Sequence, residues 1–416
     1  MPDRLSEQSR RLLSLLRGDT SLPARGMPGV DPPTGMSIAQ EAAHHGVAPL
    51  LFATLRGRAG PSPLDTNTMA FLRDEYLQSS LRNMKIFSAL ERITGVLCRQ
   101  GIDVLLLKGA HLARFVYPRE ATRPMADADI MVRSADFARS VALMQGAGFK
   151  VHAEPHLASA SPPHIAHVSL ASRTGTVIEV HRTFDLSRPG SPVDIEGVWA
   201  RAETIRLNGA DARVMCPEDA VLHLCMHAAM QHAFCLGLPV LCDVDAILTR
   251  RGSVFDWNML VRRAQEWRMT RGAWVTLALC HELLGVMIPG EIVRALQPAP
   301  PREPILEAAR ARLLEGKPRD AASWTMLKRI AVPPPTGSRL RALGRQLFMP
   351  PGELARRSGV PAGSCRVAAC YARRLGALTR TYLPLLWRLA RGERATRASA
   401  RGVRDEAALK RWLRSE

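Results

Sequence analysis

The chain has 416 residues, 46% of them hydrophobic, enough for a large buried core and more than one folding unit. A formal net charge of +19 disfavours cationic partners and favours anionic ones: nucleotides, nucleic acid, an anionic membrane surface or acidic peptides. Eight cysteines without a CxxC pair exclude a regular disulfide or zinc framework and read as reduced thiols in a cytoplasmic protein. The N-terminal segment breaks its apolar positions with charges and is not a signal peptide. The longest apolar run, 272–290, contains His281 and Glu282 and reads as a buried helix rather than a transmembrane segment.

In chain order, residues 1–100 read as helical. Leu12, Leu13, Leu15 and Leu16 share one side of the first helix, and a Pro/Gly-rich loop follows over 22–35. Helical period then covers 66–100, with Met84, Phe87, Leu90, Ile93 and Leu97 on one apolar stripe. From Gly101 the pattern changes. A strand-length apolar run at 103–107 ends at Lys108-Gly109 and leads into a short helix that stops before Pro118. A second strand is expected at 125–132, a helix up to Gln145, and three further strands at 149–153, 165–170 and 176–182. After Trp199 the chain returns to helices, starting near Pro217, Leu241, Asn258 and Thr270. From Arg339 onward there are 18 basic and 5 acidic residues, so most of the excess charge sits in the last fifth.

The chemistry concentrates in the middle. Asp127 and Asp129 lie two apart on a predicted strand, so both carboxylates leave one face and repel each other unless a cation intervenes. One or two Mg²⁺ ions resolve that repulsion, with substrate phosphates completing their coordination. Glu179, flanked by Ile178 and Val180, offers a third carboxylate on a neighbouring strand. The Lys108-Gly109 turn, between a strand and a helix, presents backbone N–H groups and a point charge to an anion. Arg123, just before the metal strand, can stabilise phosphate charge or be a solvated loop arginine.

The segment LLLKGAHLARFVYPREATRPMADADIMVRSADFARSVALMQGAGF, followed by VIEVHRTFD and CPEDAVLHLCMHAAMQHAF, resembles the bacterial "uncharacterised nucleotidyltransferase" family of the DNA polymerase beta-like superfamily. AAHHGVAPLLFATL belongs to the same resemblance, which covers roughly residues 35–260. It implies an α+β fold in which a small mixed-sheet nucleotidyltransferase core is embedded in helical N- and C-terminal regions. The expected divisions are a helical region over 1–100, the α/β core over 101–200, a helical region completing the cleft over 201–300, and a basic, mainly helical region over 301–416. The implied reaction moves a nucleoside monophosphate from an NTP such as ATP to a hydroxyl of a small-molecule, sugar or peptide acceptor. Asp127, Asp129 and Glu179 would then be both catalytic and metal ligands for Mg²⁺, two ions in all, and Lys108, Gly109 and Arg123 would bind the nucleotide. Lys108-Gly109 stands where most superfamily members have Gly-Ser. The alternatives are a toxin-like transferase acting on tRNA or protein, and a non-catalytic basic protein that keeps the fold to bind nucleic acid or a partner.

Other groups carry competing readings. His223 and His227 are one helical turn apart, but no glutamate stands between them in protease spacing, so a wall of the acceptor pocket is the better reading than zinc. Asp243 and Asp245 read as helix-start acids. The run 371–391 mixes Arg with Leu, Tyr and Trp and suits a polyanion, a membrane surface or a packed basic helix, with Pro384 arguing against one uninterrupted helix.

Overall fold

In the computed structural model the apolar run before Lys108 becomes an inner strand of a seven-stranded sheet. The structure describes residues 6–18, 32–152, 166–184, 192–299, 303–315, 350–358, 360–361, 363–391 and 394–416. Most of the predicted loop at 22–35 and the start of the basic region, 339–349, lie outside the described residues.

Four helices open the chain: α1 (Glu7–Leu16), α2 (Pro32–His44), α3 (Ala48–Arg56) and α4 (Thr66–Cys98). Asp65 caps α4 by accepting from the N–H groups of Asn67 and Thr68, both at 3.0 Å. Phe87, Leu90, Ile93 and Leu97 are buried as their spacing predicts, whereas Met84 is 61% exposed. Its neighbour Asn83 takes the inward position instead and donates to the carbonyls of Glu120 and Arg123 at 2.7 and 3.0 Å.

The sheet comprises β1 (Leu105–Leu107), β2 (Ala128–Met131), β3 (Lys150–Val151), β4 (His167–Ala171), β5 (Val177–His181), β6 (Glu203–Leu207) and β7 (Ala210–Val214), in the order β3-β4-β5-β2-β1-β7-β6. Pairing is mixed: β1 runs antiparallel to β2 and parallel to β7, and β2 runs parallel to β5. The first five strands fall where the sequence places them. The β6–β7 hairpin departs from the helical return expected after Trp199. Its turn is Asn208-Gly209, with φ of +44° and +86°, the left-handed pair that a two-residue hairpin turn requires.

Helices α5 (Lys108–Phe115) and α6 (Phe137–Gly146) lie between strands, and α7 (Ile195–Arg201) precedes β6. The remainder of this part is helical: α8 (Pro217–Met226), α9 (Pro239–Arg251), α10 (Trp257–Glu266), α11 (Thr270–Leu284), α12 (Gly290–Leu296) and α13 (Glu303–Glu315). The fold is therefore α+β, a mixed sheet with helices before and after it in the chain.

Strand alternation divides the sheet faces. Leu106, Ile130, Ile178, Val180 and Leu170 point one way and are fully buried. Asp129, Glu179, His181, Ser169 and His167 point the other way, so the polar set shares a single face.

A second compact unit is formed from the C-terminal part of the chain, up to Trp412. Its described helices are Pro351–Ser358, Arg366–Ala390 and Arg394–Arg414, with a small core of Leu354, Ala355, Val367 and Cys370. The middle helix runs through Pro384, contrary to the interruption expected there. Among the described residues no helix is long and apolar enough to cross a membrane.

Candidate active site

Pairing register assembles the site. Asp129 lies opposite Leu107 on β1 and Glu179 on β5, and Glu179 lies opposite Ser169 on β4. Two residues further along β5, His181 pairs with Met131 and His167. Four strands thus deliver Lys108, Asp129, Glu179, His181, Ser169 and His167 to one edge of one face.

Lys108 enters through an unusual backbone. Its φ is +43°, a left-handed conformation that costs a non-glycine residue energy, at the point where β1 turns into α5. Gly109 follows because there is no room for a side chain: a Cβ there would lie 3.0 Å from Met125 Cγ and 3.1 Å from its sulfur. Asn83 secures the same corner, its Oδ1 accepting the Met125 N–H at 3.2 Å. The approach to β2 is therefore pinned before the acids begin.

The resulting contacts are close. Lys108 Nζ donates to Asp129 Oδ1 at 2.8 Å, and His181 Nε2 reaches the same oxygen at 2.9 Å. His181 Nε2 also lies 3.5 Å from Glu179 Oε2, and Ser169 Oγ donates to Glu179 Oε1 at 3.0 Å. His167 stacks on His181 with ring centroids 4.9 Å apart.

Burial would raise the Asp129 carboxyl, but the Lys108 charge and the hydrogen bonds from His181 and Lys108 overcome it and hold the group well below the usual carboxylate range. The His181 hydrogen bond likewise lowers Glu179. Burial opposes the charged form of His181, yet its bonds to Asp129 and Glu179 raise it. Two carboxylates thus share the Lys108 ammonium and the His181 imidazole as partners in a mostly buried pocket.

The sequence-predicted residues fare differently. Asp129 and Glu179 come together as expected. Asp127 stands one residue before β2, half-buried, and the third member of the close grouping is His181. A ligand atom from each of Asp129, Glu179 and His181 lies within 4.8 Å of the others, so the group can hold a metal ion. The Lys108 ammonium on Asp129 marks where the fold demands positive charge, and two carboxylates with an imidazole fit a divalent cation. His181 was legible in principle: it sits at i+2 from Glu179 on a strand, the spacing that puts both on one face.

Arg123 directs Nε and Nη2 to the two oxygens of Asp243 at 2.7 and 2.8 Å, and Nη1 to the Pro124 carbonyl at 2.6 Å. Asp243 is therefore not a helix-start acid. It is 1% exposed, five residues into α9, and also accepts from Tyr117 at 2.9 Å. His223 and His227 sit where α8 passes into a π-helical turn, His227–Gln231. His223 stacks on Phe184 at 4.5 Å and lines a narrow gap together with Lys108. Burial, reinforced by the Lys108 charge, pushes His223 down to about 3 and His227 well below its ordinary value, so both are neutral.

The "Uncharacterised nucleotidyltransferase" family model matches residues 36–285, which take in the sheet and the grouped side chains just described. The chain belongs to this family. The match takes in every strand and every group of the site, and ends within a residue of α11. No curated protein matches the chain. Membership supports nucleotidyl transfer as the general chemistry of the chain.

Proposed function

We propose that the protein transfers a nucleoside monophosphate from an NTP to a hydroxyl of a small-molecule, sugar or peptide acceptor, with Mg²⁺ as the working ion and two ions bound. The observation that carries this reading is the convergence of Asp129, Glu179 and His181 on one sheet face with Lys108 at the strand–helix turn. Asp129, Glu179 and His181 would hold one cation, and Asp127 with Asp129 would serve the second. Such ions, when bound, neutralise triphosphate charge and lower the pKa of the acceptor hydroxyl.

The chain's own residues supply the rest. Asp129 is ionised at any ordinary pH, so no proton must leave before it acts as a ligand. The Lys108 ammonium would meet phosphate oxygens beside the backbone N–H groups at the start of α5 when a cation takes over its contact with Asp129. Ser169 orients Glu179 through its hydrogen bond. Arg123 holds the approach to β2 through Asp243 and Pro124 rather than reaching the nucleotide. Neutral His223, beside Lys108, adds no competing positive charge where the nucleotide would sit.

The test is incubation of the full chain with each α-labelled NTP, Mg²⁺ or Mn²⁺, and panels of hydroxyl-bearing small molecules, peptides and tRNA. Label transfer with pyrophosphate release, lost in Asp129→Asn, supports the reading. Tight NTP binding without release of pyrophosphate against any panel would favour a binding protein that keeps the fold.

A further inference from the structure

Beside α5, with none of Asp129, Glu179 and His181 in its lining, lies a cleft of about 440 Å³, within the size range of small-molecule sites. Its walls come from α5, β6, β7, the start of α8 and the end of α9, with Phe115, Ile205, Met215 and Ile247 supplying apolar surface. Two polar groups stand out against it. His111, on α5, is nine-tenths buried, faces the cleft and makes no hydrogen bond among the described residues. Arg250, at the rim, has no ion-pair or hydrogen-bond partner among the described residues.

The adjacent Arg251 is already matched, donating to both oxygens of Glu203 at 2.8 and 2.7 Å. The local balance is one unmatched positive charge above a chamber of mixed polar and apolar lining, with a neutral imidazole in its wall. Burial, with the charges of Arg251 and Arg250 nearby, pushes His111 down to about 4. A neutral imidazole has one N–H and one acceptor nitrogen to offer.

We propose that this cleft is a binding site for a small molecule that joins an apolar, ring-sized body to one anionic group. The body fills the space between Phe115, Ile205 and Ile247, the anion pairs with the Arg250 guanidinium, and a polar atom of the body meets His111. An arginine fork at a cleft mouth suits a carboxylate or phosphate better than a neutral group. The site is distinct from the metal-binding acids: the gap that shares His111 and Met215 with it and leads to Lys108 and His223 has only about 10 Å³, no more than one water. The two sites nevertheless share a helix, since His111 lies one turn along α5 from Lys108. The proposal does not depend on which group the enzyme transfers.

Calorimetric titration of the full chain with 1-naphthyl phosphate, and with neutral 1-naphthol for comparison, tests it. One equivalent of the phosphate should bind, and the naphthol should bind at least tenfold more weakly. Arg250→Ala, a change at an exposed position, should weaken the phosphate about tenfold, roughly the 1.4 kcal/mol of one charge-assisted contact. Ile205→Trp, on a half-buried edge-strand position, should fill the chamber and abolish binding, with an unchanged melting curve as the folding control. Asp129→Asn should leave binding as it is. Equal affinity for phosphate and naphthol, indifference to both cleft variants, loss in Asp129→Asn, or no saturable binding would each overturn the assignment.

Discussion

The Lys108 ammonium lies 2.8 Å from Asp129 Oδ1, the same oxygen that His181 Nε2 meets at 2.9 Å. The lysine therefore acts as an internal counter-ion. Lys108→Met removes the ammonium partner of a carboxylate that is 7% exposed, and should cost on the order of 3 kcal/mol. Added Mn²⁺ should restore much of that loss, so the ion-induced rise in Tm should be larger in Lys108→Met than in the wild type. Equal rises in a scanning-fluorimetry comparison would mean that the cation binds elsewhere.

The imidazole in the donor set affects ion choice. Nitrogen donors suit Mn²⁺ better than Mg²⁺, the hard cation expected from carboxylates alone. Titration of Mn²⁺ followed by electron paramagnetic resonance should show binding weakened about tenfold or more in His181→Gln, a scale typical of damage to a metal site. Asp129→Asn should weaken it further. Affinity unchanged in His181→Gln would return the third place to Asp127.

The role proposed for Glu179 is in chemistry more than in nucleotide binding. Glu179→Gln should leave NTP affinity within a few-fold and lower turnover by about two orders of magnitude, the scale of a lost electrostatic contact in a transition state. Near-normal turnover would make Glu179 a structural partner of Ser169 and His181.

Arg123 and Asp243 form a buried pair with Tyr117 beside it. Arg123→Lys keeps the charge but loses the two-pronged contact, so the melting temperature should fall clearly while NTP affinity stays close to wild type. A fall in NTP affinity with no loss of stability would put Arg123 on the nucleotide after all.

Stability should also respond to pH through histidines held neutral. Burial lowers His45 and His111 to about 4 and His223 to about 3. Each takes up a proton on unfolding at a pH where the folded chain refuses it, so stability declines as pH falls below the unfolded value, near 6.5, and goes on declining until the folded group protonates near 3–4. The depressed carboxyls Asp129 and Glu179 add their loss only lower, below about 4, the unfolded carboxylate range. Melting curves from pH 7 to 4.5 should show a steady decrease that His111→Gln makes shallower. A flat profile above pH 5 would contradict the burial of these rings as neutral species.

How much of this was legible in the sequence depended on sequence separation. The strands around Leu105–Leu107, Asp129 and Glu179 were visible because a buried strand is a short apolar run, whereas Asp127, expected to share a strand face with Asp129, stands one residue before β2. The β6–β7 hairpin was missed because Glu203, Thr204 and Arg206 make its first strand half polar, although Asn208-Gly209 between the runs was the turn signal. His181 was passed over although its i+2 spacing puts it on the strand face of Glu179, because its closest partner, Asp129, lies 52 residues away in the chain. The Arg123–Asp243 pair spans 120 residues, and local pattern carries no trace of such a partner.

The alternation along β5 has a consequence for folding fidelity. Ile178 and Val180 enter the core while Glu179 and His181 face the site, so a slip of one residue in pairing with β2 would exchange the two sets. Such a chain would bury an acid and an imidazole against Leu106 and Ile130 and expose two aliphatic side chains, and it would not hold its sheet together. A one-residue slip would therefore cost the sheet its core packing and the Asp129–Glu179–His181 grouping together.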